Sequence, residues 1–476
     1  MKRFSITLIT LCMVLTLSPL MVEADNSENV DLEFLPLLDN DVSEDDLEPI
    51  SATEASGFTF TLDNMFQATD WKDQSQLVLK LPRVNNENWR NLSRLGMRGG
   101  LLFSAGINFN IDVLLNAYSV QHDDFNGSDD LRLDLKEAYV SWQQSPTQFI
   151  DIGRINIKNG VATGLNPTDY FKVGAVIDHN TEDVSQLRDA RLGTVLIKGQ
   201  KLWDGGSLTL LASPKMSDKN GRWYSDKGVI GLNVQKSNAY QRSMLVFTHK
   251  LSEDFSPEHI YYNESGNHNL GLNVSKAISN QWLSYVEWSV GKRRNLIDEA
   301  LLKARSENLL SPSIAQWFPD DKGEYYQHQF VMGASYTSAL NITTNLEYLY
   351  NEAGLSKTDV EDLFTAGVNS QNNPMAQGQL LSISGLAKTR GESFGQHTLF
   401  LRSNWLDAGE DGLNLTGLLF YDLNDDSYLI QAEIAYELNS NALWSIRVAN
   451  YLGHNKSNYG SIAKQQTATL LLEYSF

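Results

Sequence analysis

Thr-Ala-Thr-Leu-Leu-Leu-Glu-Tyr-Ser-Phe, residues 467–476, has two different sides when extended. Ala468, Leu470, Leu472, Tyr474 and Phe476 fall on one side, because successive side chains of a strand point to opposite faces. Thr467, Thr469, Leu471, Glu473 and Ser475 fall on the other. One face is apolar and aromatic; the other is mostly polar.

The pattern recurs upstream. Tyr428, Ile430, Ala432, Ile434, Tyr436 and Leu438 oppose Gln431, Glu433 and Glu437. Ile342, Leu346, Tyr348 and Tyr350 oppose Thr343, Asn345 and Glu347. Trp282, Val286, Trp288 and Val290 oppose Glu287 and Ser289. Trp and Tyr gather toward strand ends, as a membrane interface requires. With residues 467–476 fixed as an inward-running strand, the connections alternate in length. Polar outer segments at 453–465, 422–426, 352–393, 292–326, 250–266, 214–226 and 157–188 alternate with turns at 439–441, 406–410, 338–340, 278–280, 237–239, 203–205 and 144–147. Lipid offers no partner to an open sheet edge, so such a sheet must close. The expected fold is all-β: a transmembrane antiparallel β-barrel of 16 or 18 strands with short periplasmic turns and long extracellular loops. The count turns on a hairpin near 76–82 and 97–104, which 57–63 could replace in part. Residues 297–310 have helical spacing within an outer loop.

At the other end, Lys2 and Arg3 precede an apolar run over Ile6 to Met21 and the small-residue site Val22-Glu23-Ala24. Residues 1–24 therefore read as a secretory signal peptide. The single cysteine, Cys12, lies inside it, so the mature chain has no thiol for a metal, cluster or haem. Beyond it, no apolar run is long enough for a transmembrane helix. The mean hydropathy of −0.31 suits a soluble protein or a barrel with a polar lumen equally. Residues 25–55 hold 11 Asp and Glu and no Lys or Arg, and read as a disordered periplasmic arm. The alternative is a plug or a tether to a periplasmic partner. The barrel proper is expected over 56–476.

Three stretches stand out: Leu-Lys-Glu-Ala-Tyr-Val-Ser-Trp (135–142), Ile-Asp-Ile-Gly-Arg (150–154) and Gly-Leu-Asn-Pro-Thr-Asp-Tyr-Phe (164–171). They resemble the porin-like and export-barrel families of Gram-negative outer membranes. The Tyr-x-Phe ending, Tyr474 and Phe476, resembles the signature that the barrel assembly machinery recognises. The resemblance implies an outer-membrane location, with lipid and lipopolysaccharide as surroundings. It leaves a homotrimer open and names no cargo.

The connection 157–188 is long enough to fold into a lumen and narrow it. Its candidate lining groups, with its flanks, are Arg154, Asp169, Asp178, Asp183 and Arg188. Opposed charges in a narrow polar channel decide which solutes pass. The alternative is a surface loop held by Asn and Asp turns. By alternation Glu287, Glu347, Glu433, Glu437, Glu473 and Arg447 face the lumen. This mostly acidic set favours cations or neutral polar solutes, unless the charges merely pair and brace the wall. No Arg/Lys ladder for anionic cargo stands out in the sequence.

Other classes find little support. His122, His249, His328 and His454 sit in no nucleophile motif, so no enzyme is expected. The Asp-rich turns at 123–130 and 422–426 lack EF-hand spacing, so no metal or cofactor is assigned. Solvated turns, open to cross-bridging with lipopolysaccharide by divalent ions, are the better account of them. The formal net charge of −20 argues against nucleic-acid partners. The expected function is a porin-like channel for a small polar or amphipathic solute, narrowed by 157–188. The alternative is a non-conducting barrel that scaffolds a periplasmic partner or presents surface loops.

Overall fold

The computed structural model describes residues 57–80, 87–121, 130–177, 180–217, 230–252, 255–306, 323–388 and 390–476. The expected signal peptide (1–24) and acidic arm (25–55) lie outside the described residues. Eighteen antiparallel strands form one closed wall. They are β1 (Gly57–Trp71), β2 (Trp89–Ser104), β3 (Ile107–Val120), β4 (Leu131–Ser145), β5 (Gln148–Ile155), β6 (Thr194–Trp203), β7 (Gly206–Ser213), β8 (Arg242–His249) and β9 (Glu258–Glu264). The ring continues with β10 (Asn267–Ser279), β11 (Trp282–Arg293), β12 (Tyr325–Thr337), β13 (Ile342–Asn351), β14 (His397–Trp405), β15 (Leu413–Asp422), β16 (Ser427–Asn439), β17 (Ala442–Leu452) and β18 (Lys464–Ser475). A further two-residue strand, Ile230–Gly231, pairs in parallel with Leu133 and Asp134 of β4.

The seam joins β1 to β18, from Thr61 opposite Ser475 to Trp71 opposite Lys464. Phe60 and Phe476 exchange two backbone hydrogen bonds of 2.9 Å. Their rings stack at 5.7 Å, and Tyr474 lies 6.0 Å from Phe476. The terminal aromatics thus cap the seam.

Exposure is inverted relative to a water-soluble protein. Ile434 is 46% exposed and Leu346 55%, while their polar neighbours Glu433 and Glu347 are 7% and 0% exposed. Only a lipid surround makes that distribution favourable. Outward aromatics mark both rims: Trp142, Trp203 and Trp282 near the turns, Tyr326 beside a long connection. Leu346→Arg should therefore cost about 2–4 kcal/mol in a urea titration of the bilayer-embedded barrel. An unchanged midpoint would place Leu346 outside the membrane.

The strand count settles at the upper of the two expected numbers. Residues 57–71 form the first strand; of the expected strand 76–82, the described residues 76–80 do not pair, and Leu77, Val78 and Leu79 are buried instead. Two connections differ from the sequence reading. Residues 237–239 lie within the connection 214–241, whose one-turn helix α2 spans Val234–Ser237; α1 is Val184–Asp189. The segment 250–266 contains all of β9, turned into β10 by Ser265 (φ 51°) and Gly266 (φ 97°). Two successive left-handed residues match the twist of a two-residue hairpin, so no polar loop is needed there.

Helices α3 (Leu296–Ser306), α4 (Lys357–Asn369) and α5 (Pro374–Lys388) belong to the outer connections. Leu296, Leu301, Leu363, Phe364, Leu380 and Ile383 pack together with Val78 and Leu79 into an apolar cap on the extracellular side.

Candidate functional site: a loop tethered across the lumen

After Ile155 the chain does not return along the wall. Residues 156–193 fold inward before Thr194 opens β6. Arg154 fixes the root: Nε donates to the Gly193 carbonyl (2.9 Å) and Nη1 to that of Leu232 (2.6 Å). The segment is then gripped by strands β11 to β17, on the far side of an eighteen-membered ring from β5 and β6.

Two carboxylates hold its middle. Glu287 accepts from the amides of Val161 (3.1 Å), Ala162 (3.2 Å) and Thr168 (2.7 Å) and from the Thr168 hydroxyl (2.8 Å). Glu347 accepts from the amides of Thr163 (2.6 Å) and Gly164 (3.0 Å) and from the Tyr285 hydroxyl (2.6 Å). Both side chains are fully buried, and these donors are what offset taking a carboxylate out of water.

The later part is gripped by β14, β16 and β17. Asp183 caps α1, accepting from Ser185 N (3.1 Å), and its second oxygen meets Arg402 Nε at 3.0 Å. Arg447 pairs with Glu433 at 2.8 Å and also donates to the Asn180 carbonyl (3.2 Å) and Gln186 Oε1 (2.8 Å). Within the segment, Asp169 takes Arg191 at 2.7 Å with Arg188 at 3.9 Å, and Arg188 donates to the Asn159 carbonyl (3.1 Å). Ala162 and Val184 pack against Phe400, Leu418 and Leu429, while Ile157 and Phe171 pack against Leu196, Met244 and Ile260.

Of the residues singled out from sequence, Arg154, Asp169, Asp183 and Arg188 lie in this segment or at its root. Glu287, Glu347, Glu433 and Arg447 meet it from the wall. Glu437 is exposed near the turns, where it accepts from Asn414 Nδ2 at 3.3 Å. Asp178 lies outside the described residues. Asp422 and Asp425 accept hydrogen bonds from Asn424, Ser427 and Asn458.

Sequence reading passed over several groups. Arg402 was findable, because alternation with Leu399 and Leu401 turns it inward. On the β1–β6 wall, Asp63 pairs with Arg94 (2.9 Å), Asp112 with Lys136 (2.8 Å) and Asp151 with Lys198 (2.7 Å), a row of paired charges. Glu392, in the outer connection after α5, carried no signal. It binds Arg293 at 2.6 Å and Arg390 at 3.0 Å. Burial works to raise its pKa, but Arg293 and Arg390 outweigh it and hold the carboxyl well below the usual range. Burial lowers the Lys172 ammonium, against the pull of Glu392 and Asp169.

Above the tethered segment lies a cavity of about 630 Å³. Its walls include Asp169, Tyr170 and Lys172, the outer ends of β9 to β12, α3, and Arg390 and Glu392.

No family model matches the chain, and no curated protein matches it. Solved structures with a similar fold are outer-membrane proteins of Pseudomonas aeruginosa. OpdK, solved with vanillate, aligns at TM-score 0.49 and 11% identity over 88% of this chain and 98% of its own. OccK11 (OpdR) aligns at 0.46 and 13%, over 88% and 95%. OprD aligns at 0.46 and 11%, over 89% and 97%. The closed eighteen-strand wall, its apolar exterior and polar interior, and the segment folded across its lumen make this chain a transmembrane antiparallel β-barrel.

Proposed function

We propose that the chain is a passive outer-membrane channel for small polar solutes, with its cross-section set by residues 156–193. One observation carries the reading: backbone amides of that segment are docked on Glu287 and Glu347 of the facing wall. A side-chain brace would need no loop, and a solid plug would need no polar lumen around it. In this reading Asp169, Asp183, Arg188 and the Glu433–Arg447 pair line the constriction. Most lumen charges are paired, so size and hydrogen bonding weigh more than ionic charge in selection. The acidic balance of the chain adds a weak cation preference. The outer belt meets membrane lipid and lipopolysaccharide.

Purified protein in a planar bilayer tests this. Stable single-channel steps are expected, with a small reversal potential of cationic sign under a salt gradient. A folded barrel that never conducts would overturn the channel reading in favour of a scaffold.

A further inference from the structure

The cavity above the constriction contains a site that the tethering network does not use. Gln327 lies on the lumen face of β12, is 1% exposed, and lines the cavity. Neither Oε1 nor Nε2 of Gln327 has a hydrogen-bond partner. A buried amide left unpaired is costly, so this one is set for something that enters. Oδ1 of Asp169, which lines the same cavity, is likewise buried and has no partner among the described residues.

Asn269, Gly291 and Gln327 are successive partners on β10, β11 and β12. A Cβ at Gly291 would collide with the Asn269 carboxamide, which occupies the space a side chain there would take, so a second amide reaches along this row toward Gln327. Tyr170 and Tyr262, stacked at 4.5 Å and 4° apart, give the cavity an aromatic wall.

We propose that this vestibule binds a neutral polyhydroxylated solute of mono- to disaccharide size, an inference that rests on the channel reading above. The charge pattern selects the class. Glu392 is held by Arg293, Glu299 by Arg390 (2.7 Å), Glu264 by Arg242 (3.1 Å) and Asp169 by Arg191. A cation drawn to these carboxylates would have to break one of the pairs. The unused buried capacity is one amide, donor and acceptor together, one carboxylate oxygen and the Nε–H of Arg293. Hydroxyl groups satisfy all four: they donate to Asp169 Oδ1 and Gln327 Oε1 and accept from Gln327 Nε2 and Arg293 Nε. The Asp169 oxygen repels an anion. The C–H face of a sugar ring suits the tyrosine wall.

Saturation-transfer NMR on the folded protein in micelles, with sucrose, glucose and sodium gluconate as probes, tests this directly. Sucrose and glucose should give saturable signals, and gluconate none. Gln327→Leu should weaken sucrose binding about tenfold, the worth of one or two net hydrogen bonds, and Gln327→Asn should recover part of it. Heat-modifiable gel migration confirms that each variant is folded. If Gln327→Leu does not fold, Gln327→Met, which removes both amide atoms at similar length, takes its place with the same expected loss. Conduction without any sugar signal, or binding of gluconate in preference to sugar, overturns the inference and leaves the channel standing. Sugar binding by a protein that never conducts would instead overturn the channel reading.

Discussion

Glu287→Ala combined with Glu347→Ala will widen the channel, raising single-channel conductance several-fold while the barrel stays folded. The two carboxylates accept five main-chain amides and the Thr168 hydroxyl of the segment at 3.2 Å or less. Hydrogen bonds to a charged group contribute about 1.5–3 kcal/mol each. Their joint loss frees the middle of the segment, while Arg154 at its root and Arg402 and Arg447 at its later part still hold its two ends. The wall itself depends on strand pairing, which neither substitution touches. Glu287→Gln keeps one acceptor oxygen and should fall between wild type and alanine. Step sizes equal to wild type in the double variant would show that the segment does not limit flow.

That pair also marks where the sequence stops being legible. Alternation along 282–290 and 342–350 turns Glu287 and Glu347 inward, because period two is a property of any strand and needs no partner to be read. What they bind was not readable. The Thr168 amide is 119 residues from Glu287, and the Thr163 amide 184 from Glu347. Backbone amides have no sequence signature, so two free lumen charges and two saturated clamps look identical on paper. The long connection 157–188 was conspicuous for its length and its glycines, yet surface and lumen placements were equally compatible with it. The same reasoning explains β9. Glu258–Glu264 is short and sits in a polar run, and its turn, Ser265–Gly266, is legible only once both neighbours are paired. Glu392 and Gln327 acquire their character from elements that meet only after the ring has closed.

A second experiment separates the position of the segment from the charge of its clamps. Gly160 has φ +98°, and a Cβ there would lie 2.7 Å from Glu287 Oε1 and 2.7 Å from Asn166 Nδ2. A Cβ on Gly164 would lie 2.7 Å from Glu347 Oε2 and 2.9 Å from Phe400 Cδ1. The backbone reaches the carboxylates only because these two side chains are absent. At Gly160 an alanine also meets a left-handed backbone, costing about 1–2 kcal/mol before any clash is counted. Gly160→Ala with Gly164→Val should therefore lift the segment off both clamps and raise conductance nearly as far as the double alanine variant. Glu287 and Glu347 stay in place and become free to face the lumen, so cation preference should rise as well, whereas removing them should lower it. The two variants thus predict the same direction of conductance and opposite directions of reversal potential. A glycine double variant with wild-type conductance would mean that the clamps yield by the needed tenths of an ångström. Equal changes in reversal potential would mean that the carboxylates act on permeating ions even while bound.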